Sequence, residues 1–277
     1  MLEAKKVIPI WQPVGYSTHL ITQRVAEKIN KKTSHTGTLD PMAEGVIIVL
    51  SGSERLRKKE YAEWEKEYYF EITFGIKTDT YDGLGLMEEE KYKTFDEDKL
   101  REVLSGFIGQ YTQKIPPFST KKISGRHLHQ YASRGIKAPK ITKLGKIFTI
   151  ELNNFQEVST LDHIEEQVQK IQKVKGNFRQ TEIIKCWQDF LNSKNRPKSL
   201  KTANIRVKTS KGIYIRSLSQ DVADRLGAFG FTSEIIRLSN GKYSQKECFC
   251  MQDIFSTEEL SGDYFYSKFK SNLHRKA

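Results

Sequence analysis

Hydrophobic positions along this chain switch between two spacings, and the switches set the expected order of elements. The run Val7 to Ile10 is short enough for a buried strand and is broken by Pro13 and Gly15. Ser17 is placed to cap a helix carrying Leu20, Ile21, Val25 and Ile29 on one face. A polar loop is expected from Lys31 to Gly45, leading into Val46-Ile47-Ile48-Val49-Leu50, a continuous apolar run suited to a central strand. Tyr68, Phe70, Ile72 and Phe74 then fall at period two, in a strand that ends in a turn cluster at Asp79 to Gly83.

Further along, Leu100, Val103, Leu104 and Phe107 have helical spacing, and Ile115 to Ser124 is interrupted by prolines and reads as a loop. Gly125 to Arg134 reads as a short basic helix ending at Gly135. Lys146 to Leu152 and Ile205 to Thr209 read as strands, Ser217 to Leu226 as a helix closed by Gly227, and Glu234 to Leu238 as a last sheet strand. Between 157 and 200 the texture becomes rich in Gln, Lys and Glu, with helical spacing at Ile164, Val168 and Ile171 and again at Ile184, Trp187 and Leu191. That stretch predicts an inserted helical hairpin. Strands and helices mix without a regular βαβ repeat, so the expected fold class is α+β, a largely antiparallel central sheet flanked by helices and loops.

Length and composition narrow the function classes. The 277 residues suffice for a sizeable core, and 37% hydrophobic content with 15 Phe and 12 Tyr excludes a disordered polyelectrolyte. One dominant domain is expected. Lys and Arg number 46 against 34 Asp and Glu, a formal +12 that draws acidic partners, nucleic acid foremost. Cys186, Cys248 and Cys250 lack the paired spacing of a zinc site and are too few for a disulfide framework, so a reducing, cytoplasmic location without metal is expected. No apolar run of about 18 residues occurs, so no membrane insertion is expected.

The loop before Val46 concentrates the candidate chemistry. Pro41 biases Asp40 toward an extended backbone, and Gly37 and Gly45 permit close approach of a ligand, which makes Asp40 the best candidate nucleophile. The string His35-Thr36-Gly37-Thr38-Leu39-Asp40-Pro41, continued by Ala43 and Gly45, resembles the catalytic motif of the TruB family of pseudouridine synthases. Other segments agree in order. Gln12-Pro13-Val14-Gly15-Tyr16-Ser17 looks like the family's opening segment, with Gln12 where a lysine is usual. Lys66-Glu67-Tyr68 and Thr78-Asp79-Thr80-Tyr81-Asp82-Gly83 are similar to the segment holding its active-site tyrosine, and Lys211-Gly212-Ile213-Tyr214-Ile215-Arg216 to the one supplying a second tyrosine and an arginine.

What this resemblance implies is a cofactor-free enzyme that isomerises uridine to pseudouridine in the T arm of tRNA, at position 55 by the family's habit, with no obligatory protein partner. It implies a catalytic body over 1–245, a thumb-like segment over 113–140 bearing the substrate-contacting Lys122 and Arg134, and a short extension over 246–277 with no full PUA domain. Asp40, Tyr68 and Arg216 take catalytic positions; His35 supports the stack left by a flipped base, and Gly37, Thr38 and Tyr214 line the substrate.

The residue types also follow from the reaction. Detached uracil is itself the returning nucleophile, so one carboxylate suffices where a glycosidase needs two. In a site closed to water that carboxylate needs a fixed cation, and Arg216 is the choice. Tyr214 and Arg216, two apart on an expected strand, would project from one face, one packing on the base and the other pairing with Asp40. Two other readings share the motif: a guide-RNA-dependent synthase, and a non-catalytic tRNA-binding or folding protein on the same scaffold.

Overall fold

The computed structural model describes residues 2–119, 121–123, 126–127 and 141–256. Its strands are β1 (Val7–Gln12), β2 (Thr33–His35), β3 (Ala43–Ser51), β4 (Lys66–Phe74), β5 (Ile76–Thr78), β6 (Met87–Glu90), β7 (Gly109–Lys114), β8 (Lys122–Ile123), β9 (Arg126–His127), β10 (Thr142–Ser159), β11 (Ser199–Thr209), β12 (Gly230–Asn240) and β13 (Tyr243–Ser244). Nine of them form one sheet in the order β1-β3-β12-β4-β11-β10-β7, with β2 on β3 and β13 on β12. Its pairings are antiparallel except for β12 with β3, where Ile235 to Arg237 run parallel to Ala43 to Gly45. The mixed, mostly antiparallel sheet expected from the sequence is therefore present.

Alternation along the strands sorts side chains to two faces. On one, Ile47 and Val49 of β3, Tyr68, Phe70 and Ile72 of β4 and Ile205 and Val207 of β11 share a core with three helices. Helix Thr18–Ile29 contributes Ile21, Val25 and Ile29, helix Glu97–Ser105 contributes Leu100, Val103 and Leu104, and helix Ile215–Arg225 contributes Leu218 and Val222. Ser17 caps the first of these by accepting from Leu20 N–H at 3.2 Å, as its sequence position predicts. Asp96 caps the second in the same way. On the other face, Phe231 and Leu200 meet helices Thr160–Gln172 and Gln180–Asn192 through Ile164, Val168, Ile171, Ile183, Trp187 and Phe190. These two helices are the expected hairpin, and they leave and rejoin the sheet at Ser159 and Ser199, which are paired in register.

Three local expectations need correction. Thr33 to His35 is a strand on β3, not loop. Arg126 and His127 pair with Ile123 and Lys122 as a two-stranded ribbon, so these two residues are not helical, and the remainder of Gly125 to Arg134 lies outside the described residues. The segment Ile213 to Arg216 is a turn entering a helix: Tyr214 is the residue before helix Ile215–Arg225, and Arg216 lies in its first turn.

Candidate active site

The Asp40 loop leaves β2, turns, and enters β3. Its backbone is anchored from three directions. Gln12, fully buried at the end of β1, donates from Nε2 to the Asp40 carbonyl at 3.3 Å. Thr18 Oγ1 donates to Gln12 Oε1 at 2.7 Å and accepts from Leu39 N–H at 2.9 Å. Arg237 of β12, 2% exposed, donates from Nη2 to the Gly37 carbonyl at 3.2 Å and from Nε to the Val46 carbonyl at 2.6 Å. Gly45 has φ +127°, and a Cβ there would lie 2.3 Å from the Arg237 carbonyl oxygen, so the close parallel pairing of β3 with β12 demands glycine.

Arg216 joins this loop to two others. Its Nε and Nη2 reach Asp40 Oδ2 and Oδ1 at 2.9 Å each, a two-pronged ion pair. Nη1 donates to the Thr80 carbonyl at 2.8 Å and Nη2 also to the Phe118 carbonyl at 3.0 Å. Asp82 Oδ2 lies 3.5 Å from Nε. The pair expected between Asp40 and Arg216 is formed, by a helical Arg216. Exposure separates the two carboxylates: Asp40 retains 34% of its side-chain surface, against 6% for Asp82 and 4% for Arg216.

Burial pushes the Asp82 carboxyl up to about 6, with Asp40 adding to the rise, while Arg216, the Thr80 hydroxyl and the Leu84 amide pull it back. Burial opposes the charge on Arg216, yet Asp40 and Asp82 outweigh it and its pKa moves up. The Tyr214 hydroxyl is made less acidic by burial and then by the Asp40 charge, which places it in the same electrostatic neighbourhood. Its backbone N–H donates to Gln113 Oε1 at 2.8 Å, and Gln113 Nε2 donates to the Gly212 carbonyl at 2.9 Å, so a buried glutamine of β7 fixes the entry to Arg216.

The other residues singled out in the sequence are less tightly gathered. Tyr68 is 8% exposed and packs in the main core, whose members include Leu39 and Ile215, the neighbours of Asp40 and Arg216. His35 sits on β2 opposite Val49. Burial, then the positive charges of Lys58, His19 and Arg237, lower its pKa to about 4, leaving a neutral ring at ordinary pH. Gly37 is half-buried through its contact with Arg237, and Thr38 is exposed. Lys122 is placed only as a strand backbone, and its side chain and the whole of Arg134 lie outside the described residues. No group of three or more metal-ligating side chains converges among the described residues.

Four contributors escaped the sequence reading: Asp82, Gln12, Gln113 and Arg237. Asp82 and Gln12 stand in quoted motifs and could have been found there; Arg237 is a charged residue in an apolar stretch of strand, a pattern that signals burial with a bonded partner, whereas Gln113 lies in the mostly polar strand Gly109–Lys114 and carries no such signal.

Comparison with known proteins adds the family. Residues 24–174 match the model of the TruB family pseudouridylate synthase N-terminal domain. The tRNA pseudouridine synthase B of Aquifex aeolicus is 30% identical over 248 residues, covering 89% of this chain and 72% of that protein. The tRNA pseudouridine synthase B of Caldanaerobacter subterraneus subsp. tengcongensis is 31% identical over 250 residues, covering 90% and 73%. Among solved structures, a chain of a Cbf5-Nop10-Gar1 complex superposes with TM-score 0.56 at 19% identity, covering 93% of this chain and 55% of that one, which shows a shared fold.

Proposed function

The chain belongs to the TruB family of pseudouridylate synthases and isomerises uridine to pseudouridine in tRNA, and we propose that its target is a T-arm uridine with Asp40 as the catalytic carboxylate. The observation that carries this reading is the two-pronged Arg216–Asp40 pair at 2.9 Å, in which the aspartate keeps a third of its surface open while its partner is buried. A carboxylate presented in this way is oriented and charge-compensated but still free to meet a sugar.

The reaction breaks the C1′–N1 bond and forms a C1′–C5 bond; the proton leaving C5 is matched by one gained at N1, so nothing is oxidised or reduced. Asp40 acts at the sugar, and Arg216 holds its charge in place as the glycosidic bond opens. Asp82, too buried to touch substrate, steadies Arg216 from behind. Tyr214 packs beside the base. A uridine inside a folded arm must be extruded to reach Asp40, and the neutral ring of His35 suits the vacated stack. Tyr68 supplies an aromatic wall, and Gly37 and Thr38 line the approach. Lys122 and Arg134 contact the RNA backbone from a thumb-like segment over 113–140.

We divide the chain into a catalytic body over 1–245, with the helical insertion over 157–200, and an extension over 246–277. The test is carbodiimide treatment and primer extension of an unmodified tRNA transcript incubated with the purified protein and no added metal or cofactor. A new stop in the T arm is expected, and its absence refutes the assignment.

A further inference from the structure

The helical hairpin between β10 and β11 touches the Asp40 loop and segments beside it. Met42, two residues after Asp40, packs with Ile164, Val168, Ile171 and Trp187. Trp187 Nε1 donates to the Gly83 carbonyl at 3.1 Å. Gly15, whose N–H donates to the Pro41 carbonyl at 2.8 Å, accepts from Lys175 N–H at 2.8 Å. Where the second helix begins stands Arg179, with φ +64°, the left-handed region that residues with a Cβ rarely adopt.

Arg179 reaches two segments at once. Its Nη2 pairs with Asp79 Oδ2 at 2.8 Å, and its guanidinium carbon lies 4.6 Å from the centroid of the Phe118 ring. Asp79 precedes Thr80, and Thr80 and Phe118 supply the two backbone carbonyls that receive Nη1 and Nη2 of Arg216. One arginine therefore grips the two pieces of chain whose carbonyls aim the other. The residue type fits both contacts, because a planar guanidinium can stack on an aromatic face while its edge pairs with a carboxylate.

We propose that Arg179 is a positioning residue for the isomerisation: by fixing the Asp79–Thr80 and Phe118 segments it holds the fork of Arg216 in the single orientation that presents Asp40 to the sugar. This rests on the Asp40–Arg216 pair being the reaction centre. The disfavoured backbone at 179 supports it, since a conformation of this kind persists only where surrounding contacts hold it, and the contacts here lead to the site. It also supplies a clean variant. Arg179→Gly removes the side chain while relieving the backbone, so fold and aim are affected in opposite directions.

The experiment compares the wild type with Arg179→Gly, Arg179→Ala and Arg179→Lys in four measurements. These are the single-turnover rate of pseudouridine formation on a T-arm transcript with enzyme in excess, the Kd for that transcript, the melting temperature, and the 15N-detected Nε–H signal of Arg216. In Arg179→Gly and Arg179→Ala the rate falls on the order of 10- to 100-fold, as for a small misplacement of a reacting group. Arg179→Lys recovers part of it through the pair with Asp79. RNA affinity is unchanged, Arg179→Gly melts no lower than the wild type, and the Arg216 signal shifts and exchanges faster with solvent.

A wild-type rate together with an unmoved Arg216 signal in Arg179→Gly overturns the proposal. So does a rate that falls only in step with the folded fraction, and so does weaker RNA binding at an unchanged rate. A wild type that makes no pseudouridine while the Arg216 signal still moves in the variants refutes the functional reading and leaves the positioning contact standing.

Discussion

The guanidinium of Arg237 donates to the carbonyl of Gly37 at 3.2 Å, tying the Asp40 loop to a strand formed from residues 230–240. A second bond runs to the Val46 carbonyl at 2.6 Å. Arg237→Met keeps the length and removes both donors, leaving two carbonyls under-satisfied. A loss of about 2–4 kcal/mol in urea denaturation is expected. Turnover per folded molecule also falls, because the loop loses its brace. Unchanged turnover in correctly folded Arg237→Met contradicts this.

The two-pronged contact between Arg216 and Asp40 makes lysine a poor replacement there. A lysine carries the charge but not the fork, and it cannot serve Asp40, Thr80 and Phe118 together. Arg216→Lys is expected to lower the single-turnover rate on the order of 100-fold with little change in RNA affinity. Asp40→Asn is expected to show no product above background while still binding RNA. Carbodiimide mapping and filter binding measure the two quantities.

Asp82 should leave a mark on the pH profile. Its carboxyl titrates near 6, and above that pH it is a second negative partner for Arg216. The single-turnover rate of the wild type is expected to climb as pH rises through about 6. Asp82→Asn, which cannot ionise, lacks that limb and runs slower on the plateau. For stability the sign is reversed: a carboxyl whose folded pKa is raised contributes fully below its ordinary value of 3.8, and that contribution is lost as pH rises through about 6. An identical acid limb in Asp82→Asn refutes the assignment.

His163, in the first helix of the hairpin, is hydrogen-bonded through Nε2 to the Thr73 hydroxyl at 2.7 Å, and burial, then the charge of Lys170, lowers its pKa from 6.5 to about 4. Glu166 and Glu234 act in the opposite sense without cancelling the shift. With the folded value depressed, the contribution of this group is present above about 6.5 and is lost as pH falls toward 4. The urea midpoint of the wild type is expected to drop across that window, by up to about 3 kcal/mol of stability from this group. His163→Gln, which cannot charge, shows a shallower drop, and equal slopes in the two proteins refute the prediction.

Particular residues show what the sequence could reveal. The helix from Thr18 was legible because its cap and its apolar face are both local signals, and the aspartate motif was legible because it is contiguous. Ile213 to Arg216 alternates apolar and polar over four residues, too short a stretch to separate a strand from a helix entry, and Leu218 and Val222 decide for the helix. Thr33 to His35 carries no apolar signal and is a strand only because β3 pairs with it. The strand β10 runs beyond the expected Lys146 to Leu152 at both ends, where mostly polar or charged positions give no apolar alternation. Contacts such as Arg179 with Asp79 or Gln113 with Gly212 join residues about 100 apart, and no local pattern encodes them.

Strand order has a consequence for how the molecule is made. Because β12 lies between β3 and β4, residues 230–240 must slide into a gap flanked by segments translated long before. While the ribosome is still adding the middle of the chain, the facing edges of those early strands have no partner, and the aspartate has neither of its arginine supports. If Asp40 is the catalytic group as proposed, the nascent polypeptide stays chemically silent toward RNA until residues 230–240 have emerged, and its open edges are the surfaces that a chaperone would have to shield.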